Sequence, residues 1–206
     1  MTWAEMCHVY DLNAVALGGF VQREGALALA NDEGPEPRVF HNISDPEDFV
    51  VEEGMSMLLD CHGSLDFYKW DGGKTWVVES ERTGAAAKIQ KACQEASLAV
   101  MDGLRPGVSV HELIRKGTDV FKKVGVPDPD RALVFFHGIG LDHSDIEIRG
   151  TSARPDWLCE ENMTVSTHVA YPGSRAERFY LEDAGIITPH GGRSLYGWGV
   201  DPYKRA

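Results

Sequence analysis

Five ionisable residues end or interrupt apolar runs in this sequence. Asp60 closes MSMLLD, and Asp71 lies eleven residues on within KWDGGKT. His137 follows ALVFF and precedes GIGL, His168 follows MTVST, and Glu182 follows RFYL. A carboxylate at the end of a buried strand costs desolvation energy unless a cation compensates it, whether a metal ion or a Lys or Arg partner. A single histidine in such a place is more often a hydrogen-bonded core residue than a ligand. Together, three carboxylates and two imidazoles form a donor set suited to Mn, Fe, Co or Zn rather than to Ca or Mg alone. The ordinary alternative is a buried hydrogen-bond network without metal. His62, two residues after Asp60, shares its strand face and is either an extra ligand or a neighbouring base.

These residues need strands to hold them. From Glu53 to Ser80 apolar runs broken by Gly and Asp predict two strands, with a turn near Gly63 to Asp66. ALVFFHGIGL, MTVSTHVAY and RFYLEDAGIIT predict further strands. Between the two groups, Thr83 to Leu104 carries apolar residues at helical spacing and stops before Arg105-Pro106-Gly107. A second helix starts at Ser109-Val110-His111-Glu112, a capping-box pattern, and ends at Gly125. The first thirty residues predict a helix and then a strand at ALALAN. Asp32 to Asp48, rich in Pro and Asp, reads as loop with a short extended piece from Arg38 to His41. The fold class is α+β.

In this order and context, Asp60, Asp71, His137 in HGIGLD and Glu182 in LEDAGIIT resemble the ligand motifs of the pita-bread metallopeptidases. That superfamily includes methionine aminopeptidase, aminopeptidase P, prolidase and creatinase. The resemblance runs from about Val51 to Thr188 and includes the spacing of the aspartates, Gly54-Met55, and Met163 ahead of the fourth ligand. It implies a curved antiparallel sheet covered by helices and a metal-dependent hydrolase of the Xaa-Pro peptidase type, acting on a small amide or short peptide. It also implies one or two divalent ions (Mn, Fe, Co or Zn) and a homodimer. Carried over residue by residue, one ion would be held by Asp71, His137, His168 and Glu182, and the second by Asp60, Asp71 and Glu182.

The departures bear on chemistry. His168 stands where the family has a glutamate, so one negative charge is lost from the cluster, which weakens the second ion most. The family's histidine seven residues after His137 is Ser144 here, with His143 one residue early. His143, His62 and His41, the last upstream of the first aspartate, are the candidate catalytic residues. The altered ligand set also resembles the dimethylsulfoniopropionate lyases of this fold, which makes a lyase acting on a small organic acid an alternative. A non-catalytic binding module is a third reading.

The 206 residues, 43% hydrophobic and 25% charged, fit one domain spanning 1–206 with a shorter N-terminal part than the family's. The net charge of −12 disfavours nucleic acid and anionic membrane surfaces as partners. No apolar run approaches the ~20 residues of a membrane span, and the N-terminus lacks a secretion signal, so a cytoplasmic location is expected. Cys7, Cys61, Cys93 and Cys159 have no paired spacing and read as reduced thiols, with Cys61 next to a candidate ligand. Trp70 and Trp76 read as packing or pocket walls. Tyr171, Arg175 and Arg178 are weaker candidates for a substrate carboxylate, the arginines reading first as solvated positions.

Overall fold

A computed structural model describes residues 1–30, 38–41, 49–144, 147–149, 156–173 and 177–203, with the side chains of 22–30, 38–41 and 147–149 outside that description. Helix α1, Trp3–Ala16, starts at a capping box. The Thr2 hydroxyl accepts from Glu5 N–H at 3.2 Å, and the Glu5 carboxylate accepts from Thr2 N–H at 2.8 Å. Trp3 and Cys7 then pack with Met57 and Val78 in a small core. Strands β1 (Phe20–Ala30) and β2 (Arg38–His41) follow, the first extending well beyond ALALAN.

Strands β3 (Ser56–Leu65) and β4 (Tyr68–Val77) form the expected hairpin, but its turn lies at Asp66-Phe67 rather than at Gly63 to Asp66. Both turn residues have positive φ, 48° and 73°, as a two-residue hairpin loop requires. Gly63 serves packing instead. It pairs with Trp70, and a Cβ there would come within 2.2 Å of the indole and 2.5 Å of the Phe20 carbonyl oxygen. The Trp70 Nε1–H donates to the Tyr10 hydroxyl at 3.2 Å, so the missing side chain makes room for the ring that fastens α1.

Helices α2 (Gly84–Gly103) and α3 (Val110–Val124) occur where their patterns place them. At the start of α3 the Ser109 hydroxyl accepts from Glu112 N–H at 3.3 Å. Asp156, distant in sequence, caps alongside it by accepting from the Ser109 hydroxyl and from His111 N–H, a free donor of the first turn. Gly125 closes the helix in the left-handed region at φ 76°. After a 3-10 turn at Pro129–Arg131 come β5 (Leu133–Gly138), β6 (Glu147–Arg149), β7 (Thr164–Tyr171), β8 (Phe179–Thr188) and β9 (Gly191–Ser194).

The strands form one sheet in the order β2-β1-β3-β4-β8-β7-β5-β6, with β9 on β8 and every paired neighbour antiparallel. Alternation along each strand divides the side chains between two faces. Val134 and Phe136 of β5, Val165, Val169 and Tyr171 of β7, and Phe179, Leu181 and Ile187 of β8 join α2 and α3 in the main core. Phe135, His137, Ser166, His168, Tyr180 and Glu182 fall on the opposite face. Thus the helices anchor one side of the sheet while the ionisable residues collect on the other.

The seam between β4 and β8 is short, pairing only Gly73 with Glu182 and Lys74 with Leu181. Side chains and the C-terminal segment supply the remaining partners, as buried backbone groups require. The Thr75 hydroxyl accepts from Tyr180 N–H at 2.7 Å and donates to Tyr180 C=O at 3.2 Å. The Tyr196 hydroxyl accepts from Asp71 N–H at 3.1 Å and donates to Asp71 C=O. Lys74 Nζ donates to the carbonyls of Trp198, Gly199 and Asp201 at 2.8–3.2 Å, holding that segment against β4. Among the described residues no helix is long and apolar enough to cross a membrane.

Gly63→Ala is therefore expected to lower unfolding stability by about 1–3 kcal/mol through displacement of Trp70. Gly140→Ala, with open space at its Cβ, is expected to stay within about 0.5 kcal/mol of wild type. Urea denaturation of the two variants checks this pair; equal losses would contradict it.

Candidate metal centre

Strand register builds the centre in two rows across the sheet. Asp60 pairs with Gly73, Gly73 with Glu182, Glu182 with His168, and His168 with Phe135. In the adjacent row His62 pairs with Asp71, and His137 pairs with Ser166. Gly73 matters here because a Cβ would lie 2.0 Å from the Leu59 carbonyl oxygen and 2.9 Å from Asp60 Cα. Without one, no side chain stands in the row between Asp60 and Glu182.

Asp71, His137, His168 and Glu182 are all buried, and one ligand atom from each lies within 4.8 Å of the others. His137 Nε2 is 3.1 Å from Asp71 Oδ2, and His168 Nε2 is 3.3 Å from Glu182 Oε1. Neighbouring groups fix these side chains. The Ser166 hydroxyl donates to Glu182 Oε1 at 2.7 Å, and the Tyr180 hydroxyl donates to Glu182 Oε2 at 2.5 Å. His168 Nδ1 lies 2.9 Å from that same hydroxyl, and its ring stacks on Phe135 with centroids 4.0 Å apart. His137 Nδ1 lies 3.1 Å from the Gly138 carbonyl oxygen, a contact that leaves Nε2 toward the cluster.

In a second group, His62, Asp71 and His143, one ligand atom from each residue also lies within 4.8 Å of the others. His143 Nε2 stands 3.0 Å from Asp71 Oδ2, and the His62 and His143 rings are 4.6 Å apart. Asp71 thus belongs to both groups. Its Oδ1 is buried with no hydrogen-bond partner among the described residues.

The charges interact strongly. Burial, and then the charge of Asp71, pushes the Asp60 carboxyl up to about 7. Burial and the charges of Asp71 and Asp60 also push Glu182 well above the usual carboxylate range, against the hydrogen bonds of Tyr180 and Ser166. For Asp71, burial acts upward, but hydrogen bonds from His137 and His143 outweigh it and hold the carboxyl below its usual value. The bond to Asp71 raises His143. Three carboxyl groups that cannot all ionise freely, a buried carboxylate oxygen without a partner among the described residues, and imidazole nitrogens directed at carboxylate oxygens fit a divalent cation.

The structure brings together four of the five residues expected as ligands. Asp60 borders them, half-buried, and belongs to neither group. His143 turns toward Asp71 despite its shifted position, and His62 reaches the same place from β3. His41 lies on β2 in the register row of Leu27 and Asp60, and its side chain is outside the described residues. Arg175 is also outside them. Two weaker readings are corrected. Arg178 is 2% exposed rather than solvated. Tyr171 packs on Phe121 in the helix-covered core, away from the centre. Cys61 faces α1 with its thiol pushed up by burial, in keeping with a reduced, packed thiol. Tyr180 and Ser166 were missed, although each stands two residues before a ligand candidate and so on the same strand face.

The family model for metallopeptidase family M24 matches residues 10–199. No curated protein sequence matches. Among solved structures, dipeptidase PepE from Mycobacterium ulcerans is similar with a TM-score of 0.79 and 22% identity over 98% of this chain and 52% of that one. A dipeptidase from Pyrococcus horikoshii has a TM-score of 0.76 and 19% identity over 95% of this chain and 52% of that one. A histidine-to-alanine variant of Escherichia coli aminopeptidase P has a TM-score of 0.75 and 16% identity, covering 98% and 50%. The chain spans about half the length of these proteins, and at such identities they show the fold. With the family match over most of its length and the shared α+β pita-bread architecture, this chain belongs to metallopeptidase family M24.

Proposed function

We propose that the chain carries a divalent-metal-dependent hydrolase centre of the Xaa-Pro peptidase type, with the ion held by Asp71, His137, His168 and Glu182. The observation that carries this reading is the buried four-residue donor group, with Asp71 Oδ1 beside it lacking a hydrogen-bond partner among the described residues. Similarity to proteins named dipeptidase, prolidase and aminopeptidase P supports peptide hydrolysis. When bound, a divalent ion supplies Lewis acidity toward an amide carbonyl and lowers the pKa of water.

The chain's own residues prepare that chemistry. Tyr180 and Ser166 orient Glu182, Tyr180 and Phe135 position His168, and the Gly138 carbonyl orients His137. The helix-covered core behind β5, β7 and β8 excludes water from one side. His143, about one-third exposed, marks the open side from which a small substrate would approach. His168, in place of a carboxylate, favours a second reading: a lyase of this fold acting on a small organic acid.

Protein purified without chelator is expected to contain near-stoichiometric Mn, Fe, Co or Zn by inductively coupled plasma mass spectrometry. Asp71→Ala and His168→Ala should lose that metal, and metal-supplemented Asp71→Ala should cleave Xaa-Pro dipeptides at least about 100-fold more slowly than wild type. Turnover of dimethylsulfoniopropionate with inert dipeptides would select the lyase. No metal above background in folded wild type would leave a binding module.

Metal-free protein has a pH signature of fixed sign. Asp60, at about 7 against 3.8 for an ordinary aspartate, and Glu182, also raised, bind more protons folded than unfolded. Their stabilisation is complete below the unfolded values and is lost as pH rises through the folded ones. His143, also raised, acts in the same direction. Asp71, held low, loses its contribution only in stronger acid, below its ordinary value. The melting temperature of metal-free protein should therefore fall between about pH 5 and pH 8, and saturating metal should flatten or reverse the trend. Scanning calorimetry checks this; a metal-free melting temperature that rises over that range would contradict it.

A further inference from the structure

We infer that His62, His143 and Asp71 form a second divalent-metal site, in which an imidazole pair does the work that the family pattern assigns to Asp60. This rests on the four-residue centre proposed above and specifies its neighbour. Three observations carry it. One ligand atom from each of the three residues falls within 4.8 Å of the others, whereas Asp60 joins neither donor group. His62 and His143 come from different parts of the fold, β3 and the loop after β5, yet their rings meet 4.6 Å apart. Asp71 retains a buried oxygen, Oδ1, without a hydrogen-bond partner among the described residues while Oδ2 faces His137 and His143. Asp71 thus stands between the two groups through Oδ2, with Oδ1 as spare donor capacity that either group could use.

Loop geometry supports the placement. Lys69 N–H donates to the Gly140 carbonyl at 2.7 Å, tying the loop after β5 to the start of β4. This brings His143 over the β3–β4 hairpin, where His62 is paired in register with Asp71. Both histidines are only partly buried, so this group lies nearer solvent than the four-residue centre.

The chemistry sets the class of ion. Two neutral imidazoles and a shared carboxylate favour Zn or Co over Mn or Mg, which prefer oxygen-rich sites. The shared carboxylate supplies one negative charge already used by the first ion, so the second ion should bind more weakly. The site should therefore fill second in a titration.

The test is equilibrium dialysis of metal-free protein against Co(II), with bound metal counted by mass spectrometry and folding checked by circular dichroism. Wild type should saturate at two ions per chain in two steps. The His62→Ala, His143→Ala double variant should saturate at one, keeping the tighter step, and Asp60→Asn should retain two. Saturation of wild type at one ion overturns the second site but leaves the four-residue centre standing; zero ions overturns both. Two ions in the folded double variant, or loss of an ion from Asp60→Asn as complete as in that variant, also overturns the assignment.

Discussion

Mutual repulsion among crowded carboxyl groups, two of them buried and one half-buried, is the constraint on which this structure turns. Asp60, Asp71 and Glu182 share one face of a sheet whose other face is covered by apolar core, so water cannot screen all three. In the chain alone, protons and imidazoles absorb the repulsion: Asp60 and Glu182 are pushed toward protonation while His137 and His143 hold Asp71 ionised. A divalent cation removes the same conflict without those protons. The unusual titration and the donor geometry are therefore two consequences of one arrangement.

The rest of the fold keeps that arrangement from relaxing. Helices α2 and α3 fix β5, β7 and β8 from behind through residues that alternate with the site residues along each strand. Gly73 brings β3 close to β4 where Asp60 and Glu182 share a row. Thr75, Tyr196 and Lys74 complete the short β4–β8 seam, and Tyr196 bonds directly to the Asp71 backbone. A C-terminal segment far from Asp71 in sequence thereby becomes part of what positions it.

Much of this was legible because ligands on strands interrupt apolar runs. Asp71, His137, His168 and Glu182 each carry that signature, and antiparallel register brings them together. Helix limits were also readable, since Thr83, Ser109 and Gly125 are local signals. The hairpin turn was not, because Asp66-Phe67 adopts positive φ without glycine while Gly63 serves a contact with Trp70 visible only in three dimensions. Asp156 capping α3 and Tyr196 bonding β4 are tertiary contacts with no local signal. The one-residue shift from Ser144 to His143 leaves the direction of that histidine open in the sequence, and the folded loop turns it to Asp71. His168 replacing the family's glutamate was visible at once, but its stacking on Phe135 and contact with Tyr180 depend on the folded sheet.

The most direct measurement is anomalous X-ray diffraction from crystals of the Zn-loaded protein, with data on both sides of the zinc edge. The expected result is an anomalous peak enclosed by Asp71, His137, His168 and Glu182, at ordinary Zn–N and Zn–O distances of about 2.0–2.2 Å. Absence of a peak among those four residues in well-ordered, metal-saturated crystals would contradict the metal centre and leave the cluster as a buried proton-sharing network.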